Sequence, residues 1–510
     1  MKTLVYATCG FADPYIAVLM EAADAAHDRG EDVVLAHCDE KINMCFENPS
    51  GNSALCCMCK HCIKRFVGQR KEWLRRLVLK VAEKNQKIDF SFETVYDIRR
   101  IEYRGCRIGY GVLSTYISLT RDCFPDFSKK ELKNYFQQLL TDAARVTDYA
   151  YQCMEQENPD KVVLFNGRFF ENRAFHEVAK IKGIPFESNE VIGGFRTHER
   201  FKRMIYPNVM PHDVNYNTQL ISMLWNSPKE TIEEKTRKGS DFYERRRRGV
   251  VAGDRVYIGG QQKGMLPKNW DSSKRNFVIF NSSEDEFAAI GPEFEKFAIF
   301  KSQYDGIKYM LENITDPDIH FYLRVHPNLM RVHYAYRDDL LGLPSHYKNI
   351  TVVDADDPCS TYDMMDAAEK VIVFGSTAGA EAVYWGKPVV LLAASYYHEL
   401  GMTYNPSSGD ELVAMLRKQL QIIPEGKKLA IQYGYFILNR NLSACEIKNF
   451  DVDIATVSIF GKRLPICRYN TLLGSVWLMK FCRIVLKYGF RMFGKIKLPT
   501  AMFVDPAYVK

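Results

Sequence analysis

The chain has 510 residues, and at about 150 residues per domain this length predicts two to four domains. Lysine and arginine number 69 and aspartate and glutamate 62, so the formal net charge of +7 argues against a nucleic-acid coat protein and leaves room for local basic patches. Hydrophobic residues make up 46% and charged residues 26%, a composition that excludes a wholly disordered chain.

No stretch of the sequence predicts a membrane span or a cleaved signal. The longest uncharged apolar stretch lies near residues 388–397, far short of the roughly 20 residues that a spanning helix needs. The first residues contain only a short apolar run, without a signal-peptide core or cleavage site. We therefore expect a cytoplasmic protein whose 14 cysteines are reduced thiols or metal ligands rather than disulfides.

Residues 1–200 have the pattern of an α/β domain with a cysteine-rich insert at residues 38–66. A strand, a helix and a second strand open the chain, which is the order that begins a doubly wound fold. The expected elements are strands at 3–7, 32–37, 161–166 and 184–188, and helices at 14–28, 71–87, 129–157 and 171–182.

Residues 201–274 are expected to be a connector with a helical middle, because apolar periodicity weakens there and charge rises. Four consecutive arginines at residues 245–248 are expected to be a solvated helix face or linker, with a contact to acidic saccharide or lipid phosphate as the alternative. No alternation of aromatic and basic residues supports nucleic-acid binding.

Residues 275–440 predict a second doubly wound α/β domain. Its expected strands lie at 276–281, 320–325, 350–353, 370–374 and 388–392. Polar clusters follow three of these strands, and ligands of open α/β sheets bind beyond the carboxyl ends of strands, so the clusters should share one crevice. The cluster residues are Asn281, Ser282 and Ser283, then Arg324 and His326, then Ser376, Thr377 and Glu381.

These residue types suit a nucleotide. Ser376 and Thr377 stand where a helix begins, and the N–H groups and dipole of a helix start attract phosphate. His326 can donate to a phosphate oxygen and stabilise the leaving nucleotide, Arg324 adds charge, and Glu381 can accept from ribose hydroxyls. Each feature alone has a structural explanation, a turn at His-Pro or an N-cap at Ser376, but together they favour nucleotide binding.

The same set, extended by Pro388 and the two valines after it, resembles capsule polysaccharide biosynthesis proteins, which are glycosyltransferases of GT-B architecture. The resemblance covers about residues 275–400. A His-Pro followed by a Ser-Thr pair is also similar to bacterial sialyltransferases and polysialyltransferases, where these side chains hold the phosphate of a CMP-activated sugar. The resemblance implies donor-phosphate contacts for His326, Ser376 and Thr377, and it slightly favours a CMP-sugar over a UDP-sugar.

In such an enzyme the catalytic base comes from the N-terminal domain. Asp13, after the first strand, is the best-placed carboxylate, although it can equally be the N-cap of a helix that begins at Pro14. Asn166, Arg168 and Glu190 also follow strands and are candidates for holding the acceptor. No Asp-x-Asp motif stands out, so no catalytic divalent metal is required.

Six cysteines crowd the insert, at positions 38, 45, 56, 57, 59 and 62. Four thiolates suit a structural zinc, and we expect Cys38, Cys45, Cys59 and Cys62 to bind it, with Cys56 or Cys57 as rivals. An iron–sulfur cluster and ordinary reduced thiols are the alternatives.

The tail, residues 441–510, is expected to be helical, basic and aromatic. Within residues 474–497 the cations Lys480, Arg483, Lys487 and Arg491 recur at helical spacing. A helix of this kind can lie on the inner face of the cell membrane, where lipid-linked acceptors are found, or it can pack back on the first domain.

The sequence therefore predicts two doubly wound α/β domains facing across a cleft. The predicted function is transfer of a sugar from a nucleotide-sugar donor to a growing capsular or other surface glycan or glycolipid. The alternatives are a sugar-nucleotide epimerase of the same fold, a metal-cluster redox or assembly protein, and a non-catalytic scaffold of an export complex.

Overall fold

The computed structural model describes residues 1–10, 15–38, 41–49, 51, 53–77, 88–192, 202–253, 256–330, 332, 334–446, 456–459 and 462–465. Its contacts group the chain into two units. One unit is Met1–Pro211 together with Ala444–Lys510, and the other is His212–Ser443. Asp13 and residues 474–497 lie outside the described residues, so the proposed base and the membrane contact stay predictions.

The first unit contains a seven-stranded sheet in the order β12-β6-β5-β4-β1-β2-β3. Strands β1 to β5 run parallel to one another, whereas β6 is antiparallel to β5, and β12 is antiparallel to β6. Its strands are β1 (Lys2–Tyr6), β2 (Asp32–Ala36), β3 (Leu74–Arg76), β4 (Lys161–Phe165), β5 (Phe186–Ile192) and β6 (Lys202–Pro207), and later β12 (Cys445–Glu446). Its helices are α1 (Tyr15–Asp28), α2 (Ser53–Gln69), α3 (Val95–Arg99), α4 (Ile108–Thr120), α5 (Lys130–Glu157) and α6 (Phe170–Ile181). A separate hairpin joins β13 (Thr456–Ile459) and β14 (Lys462–Pro465).

The second unit contains a five-stranded, wholly parallel sheet in the order β11-β10-β7-β8-β9. Its strands are β7 (Arg275–Phe280), β8 (Ile319–Arg324), β9 (Ile350–Val353), β10 (Lys370–Val373) and β11 (Val389–Leu391). Its helices are α7 (Val214–Asn226), α8 (Ile232–Arg247), α9 (Glu284–Phe287), α10 (Pro292–Glu295), α11 (Gln303–Asn313), α12 (Ala335–His346), α13 (Thr361–Ala367), α14 (Thr377–Tyr384), α15 (Gly409–Arg417) and α16 (Gly426–Asn439).

The five parallel strands of the first sheet and those of the second are both doubly wound. In each unit the first strand lies at the centre, the second and third strands extend to one side, and the fourth and fifth extend to the other. The central strands are short apolar runs, as expected for strands covered on both faces; β1 and β8 are buried along almost their whole length. The predicted α/β class with two doubly wound sheets is confirmed.

Three expectations for the secondary structure are corrected. The tail, residues 441–510, was expected to be helical, but β12, β13 and β14 among its described residues are strands. The helix expected over residues 71–87 is wrong at Leu74–Arg76, which pairs with β2 as the edge strand of the first sheet. Residues 201–274 are not one connecting segment, since β6 belongs to the first sheet while α7 and α8 lie in the second unit. Among the described helices, none is both long enough and apolar enough to cross a membrane.

Candidate functional site

A cavity of about 540 Å³ lies in the second unit at the carboxyl ends of its strands. Its walls include the residues that follow β7 and β10, the two neighbouring strands at which the strand order reverses. This switch point is where doubly wound sheets bind ligands, and the volume is that of a small-molecule site. All the predicted donor-binding residues line it, namely Asn281, Ser282, Ser283, Arg324, His326, Ser376, Thr377 and Glu381.

The residues after β7 connect neighbouring strand ends. The Asn281 side-chain oxygen accepts from the backbone N–H of His326 at 2.8 Å. The Ser282 hydroxyl donates to the carbonyl of Phe374 at 2.8 Å and accepts from the Gln303 amide at 3.0 Å. These two side chains therefore fix the loops after β7, β8 and β10 relative to one another.

His326 is held in one orientation beyond β8. Its Nδ1 accepts from the backbone N–H of Asn328 at 3.1 Å, so the neutral ring carries its proton on Nε2. The ring also packs edge-on against Tyr257, with the ring centroids 5.2 Å apart. The imidazole therefore lines the cavity with an N–H donor, as contact with a phosphate oxygen requires.

Helix α14 begins at the cavity. Ser376 is its N-cap, and the hydroxyl accepts from the N–H of Ala378 at 3.3 Å. Gly375, just before it, has φ +83°, and a Cβ there would stand 2.4 Å from the carbonyl oxygen of Ala394. Only glycine suits that position, which brings the positive end of the α14 dipole to the cavity wall.

Glu381 has protein partners that the sequence did not predict. Its Oε1 accepts from Arg246 Nε at 3.0 Å, and its Oε2 accepts from the Tyr362 hydroxyl. Burial and the Glu381 carboxylate raise the pKa of Tyr362, which therefore stays a hydroxyl donor. Glu381 thus acts as the counter-ion of an arginine, whereas its expected contact with a ribose stays a prediction.

Arg246 is the main residue that the sequence analysis missed. The expectation of a solvated face at residues 245–248 is wrong for Arg246, which is 8% exposed and lines the cavity. Helix α8 places it there, since Gly239, Phe242, Tyr243 and Arg246 recur at helical spacing on its buried face. That spacing was the signal available in the sequence. The neighbouring Arg247 instead pairs with Asp366.

Arg324 lines the cavity but points two of its nitrogens at the loop after β9. It donates to the carbonyls of Asp354 at 3.0 Å and Asp357 at 2.9 Å. Burial lowers the pKa of its guanidinium. Arg324 therefore places a positive charge at the cavity while its hydrogen bonds hold the loop after β9 in position.

A segment within the expected connector forms another part of the wall. Tyr257 and Gln261 line the cavity, and the Gln261 side-chain oxygen accepts from the N–H of Thr361 at 2.7 Å. The next residue, Gln262, donates its N–H to the carbonyl of Pro358 at 2.8 Å. These bonds join residues about 100 positions apart in the chain, and no local pattern could have indicated them.

The predicted acceptor-binding residues lie at the carboxyl edge of the first sheet. The Asn166 amide donates to the Glu190 carboxylate, so the structure brings these two side chains together. Arg168 turns instead towards α4, where its Nε donates to the Ser114 hydroxyl at 2.8 Å. The base candidate, Asp13, is outside the described residues.

A second cavity, of about 20 Å³, lies at the same edge of the first unit. Five cysteines line it, namely Cys9, Cys38, Cys45, Cys56 and Cys59. The Cys62 side chain of the predicted set lies outside the described part of the chain. Among the described side chains, no group of three or more His, Cys, Asp or Glu residues is already placed to hold a metal ion. Cys9 was not predicted, because it approaches the insert only in the folded chain.

Burial favours the neutral form of two thiols of this cavity, Cys9 and Cys45. Burial, followed by a hydrogen bond with Cys59, raises the pKa of Cys9, and burial likewise raises the pKa of Cys45. Two sulfurs accept N–H groups. Gly10 donates its backbone N–H to Cys59 Sγ at 3.1 Å, and the Asn48 amide donates to Cys56 Sγ at 3.2 Å.

Residues 294–421 match the family model described as capsule polysaccharide biosynthesis protein. The match includes His326, Ser376, Thr377 and Glu381, and it confirms the resemblance that the motifs indicated. No curated protein matches the chain significantly.

Solved structures share the fold only distantly. KpsC of Thermosulfurimonas dismutans, a beta Kdo 2,4 transferase, is 14% identical over 54% of this chain and 80% of its own, with a TM-score of 0.32. The beta Kdo 2,7 transferase of the same KpsC is 14% identical over 67% of this chain and 89% of its own, with a TM-score of 0.33. UDP-GlcNAc 2-epimerase of Neisseria meningitidis is 11% identical over 87% of this chain and 99% of its own, with a TM-score of 0.24. TM-scores this low do not support a functional assignment.

Proposed function

We propose that the second unit binds a nucleotide-activated sugar and that the protein is a glycosyltransferase of capsular or other surface-polysaccharide synthesis. One observation carries the proposal. The cavity at the switch point of the second sheet gathers a helix N-terminus, an oriented imidazole and a buried arginine within one unit, and the segment that matches the capsule family supplies the first two.

The charge of the cavity fits an anionic ligand. Of the described residues that line it, Arg246, Arg324 and Arg440 are cationic and Glu286 and Glu381 are anionic, so one fixed positive charge is in excess. The positive end of α14 adds to this field. A phosphate group would meet N–H donors and positive charge in a site partly shielded from water, where such contacts are strongest.

The proposed reaction is direct displacement at the anomeric carbon. An acceptor hydroxyl forms the new carbon–oxygen bond, the bond to the donor phosphate breaks, and the nucleotide leaves with both bonding electrons. His326 Nε2–H, the start of α14 and Arg246 stabilise the negative charge on the departing phosphate. The hydroxyl proton goes to a general base, for which Asp13 is the candidate.

The donor class and the acceptor side are also proposals. His326 and the pair Ser376 and Thr377 favour a CMP-sugar through their resemblance to sialyltransferases. The acceptor, a growing glycan or glycolipid, would be held by Asn166 and Glu190, whose side chains are hydrogen-bonded to each other. We propose that the reaction takes place in the cytoplasm, where the cysteines of this chain would stay reduced.

The test is nucleotide binding measured by thermal shift with CMP, CDP, UDP, GDP and ADP. A ligand at a hundred times its dissociation constant should stabilise the unit that binds it by about 2.7 kcal/mol. We expect one nucleotide to raise the melting temperature of the wild type and of His320→Ala, and His326→Ala to lose the shift. His320 is the matched control, because it lies on β8, the strand that leads to His326, but bonds Thr351.

Other results would redirect the assignment. If none of the five nucleotides shifts the wild type, the proposal fails and a scaffold becomes the better reading. If UDP binds and a UDP-sugar alone yields an epimerised product without an acceptor, the protein is an epimerase of the same fold. Transfer of sugar to a glycan only when both substrates are present would complete the case for a glycosyltransferase.

A further inference from the structure

The five cysteines around the small cavity of the first unit come from separate parts of the chain. Cys9 follows β1, Cys38 follows β2, and Cys45 lies in the loop before α2. Cys56 and Cys59 are three residues apart in α2 and so share one face of that helix. Convergence of this many thiols at the ligand-binding edge of a doubly wound sheet needs a chemical reason, and none of the described cysteines forms a disulfide.

We infer that four of the five thiols of Cys9, Cys38, Cys45, Cys56 and Cys59, with Cys9 and Cys59 among them, bind one soft metal ion, Zn²⁺, at the carboxyl edge of the first sheet. The set differs from the one expected from spacing, because it includes Cys9 and Cys56. Five candidates surround a site that takes four ligands, so one of them remains outside the coordination sphere. The inference is independent of nucleotide binding in the other unit.

The cavity volume favours a single ion over a cluster. About 20 Å³ accommodates roughly one water-sized sphere, which suits one Zn²⁺. An iron–sulfur cluster, with several metal and sulfide atoms, is too large for that space. A divalent cation would also supply the opposite charge that several buried thiolates need in order to lose their protons.

Two of these cysteine sulfurs accept hydrogen bonds of the kind that metal-binding thiolates accept. The backbone N–H of Gly10 donates to Cys59 Sγ, and the Asn48 amide donates to Cys56 Sγ. Such N–H donors stabilise the thiolate form and orient metal ligands. Gly10 is needed for its contact, since a Cβ there would stand 2.5 Å from the carbonyl oxygen of Cys59.

The described side chains do not yet place three ligand atoms around one point. Metal binding therefore requires the sulfurs to change position, and rotation about the Cα–Cβ bond of a cysteine moves its sulfur between staggered positions. Cys9 and Cys38 stand directly beyond β1 and β2, whose strands pair with each other in the sheet.

The test is metal content and Co²⁺ spectroscopy on the full chain, purified anaerobically without a metal-binding tag. We expect about one zinc per chain by elemental analysis. After exchange, Co²⁺ should give the visible bands of a tetrahedral site and a thiolate-to-cobalt charge-transfer band. Cys9→Ser and Cys59→Ser should each weaken metal binding by about tenfold or more, while the buried control variants Cys123→Ser and Cys359→Ser should not.

Three results would overturn the inference. The first is a wild type that contains no metal and takes up neither Zn²⁺ nor Co²⁺. The second is iron with broad visible absorbance, which would indicate a cluster. The third is full metal binding by both Cys9→Ser and Cys59→Ser. Should a variant fail to fold, the sulfur-to-cobalt band of the wild type still reports whether thiolates bind the ion.

Discussion

The two doubly wound sheets share a strand order but end in different chemistry. The carboxyl edge of the second sheet surrounds about 540 Å³ with hydroxyls, an imidazole and arginines, whereas the corresponding edge of the first holds about 20 Å³ ringed by thiols. We propose that the edge of the second sheet binds a large anion and that the edge of the first binds a small cation. The topology therefore fixes where a ligand binds, and the side chains after each strand decide which ligand it is.

Buried arginine–glutamate contacts occur in both units and sharpen the comparison. On α6 of the first unit, Glu177 accepts from Arg107 at 3.0 Å and from Arg173 at 3.2 Å. In the second unit Arg246 and Glu381 line a cavity. We interpret the contacts of Glu177 as structural and the pair of Arg246 and Glu381 as part of a binding site. Substitution in the first group should therefore reduce stability, and substitution of Arg246 should reduce nucleotide affinity.

The largest expected effect is a loss of stability in Glu177→Gln. Removing the charge leaves two arginines with a neutral partner, which should cost about 3 kcal/mol of unfolding free energy at pH 7. Burial opposes ionisation of Glu177, but the His176 ring, 3.7 Å from the carboxylate, and the charges of Arg173 and Arg107 hold its pKa well below the usual range. Nucleotide binding should not change.

The pH dependence gives a second check on the same variant. Because the folded-state pKa of Glu177 is lowered, its contribution is complete above the unfolded value of about 4.3 and is lost as pH falls towards the folded value. The difference from wild type in denaturant melts should stay constant from about pH 8 to 5 and narrow below about pH 4. The control Glu155→Gln, which breaks an exposed pair with Lys182, should change little; an equal loss there would contradict the reading.

The next effect is specific to ligand binding. Arg246→Met removes the cation beside Glu381, and a charged hydrogen bond contributes about 1.5–3 kcal/mol, so nucleotide affinity should fall roughly 10- to 150-fold. The matching nucleoside, which has no phosphate, should bind the variant and the wild type equally. Titration calorimetry of both ligands measures the difference.

Two further variants serve as controls for the Arg246→Met measurement. Arg247→Met removes the neighbouring arginine, which pairs with Asp366 and lies over the Trp385 ring, and it should leave nucleotide affinity unchanged. Arg246→Lys keeps the charge and should retain part of the affinity. Equal nucleotide affinity in the wild type and Arg246→Met would show that Arg246 only balances the charge of Glu381.

Much of the fold could be predicted because the strands are short, continuous apolar runs bounded by turns. The strand β3 was misread since it lies at the sheet edge and carries two arginines; Arg75 is tolerated there because Glu157 accepts from it at 2.9 Å. That partner lies 82 residues away in α5 and could not be seen from the local pattern.

The site residues that directly follow strands could be predicted from the sequence. Those that reach the cavity from distant helices and loops could not. The sequence predicted that three residues would lie near one another, because each follows a strand of the same parallel sheet: His326, Ser376 and Thr377. Arg246 reaches the cavity from a helix 135 residues before its partner, Glu381. Cys9 meets Cys59 in the same long-range way.

The smallest effect separates the serines that the sequence analysis grouped together. The Ser282 hydroxyl donates to the Phe374 carbonyl and accepts from the Gln303 amide, so both roles of a hydroxyl are already filled by protein. Ser282→Ala should therefore cost about 1 kcal/mol of stability and leave nucleotide affinity unchanged. Ser376, whose hydroxyl caps the helix that begins at the cavity, is the comparison.

Ser282 and Ser376 lie at the same sheet edge, so their alanine variants can be compared directly for stability and nucleotide affinity. Ser376→Ala should also cost about 1 kcal/mol as a lost N-cap, and it should in addition weaken the nucleotide, because the start of α14 is where the phosphate is proposed to bind. Thermal shift with and without the nucleotide separates the two effects. A loss of affinity in Ser282→Ala beyond about tenfold, with stability unchanged, would instead make Ser282 a ligand contact, since a purely internal hydroxyl cannot produce that combination.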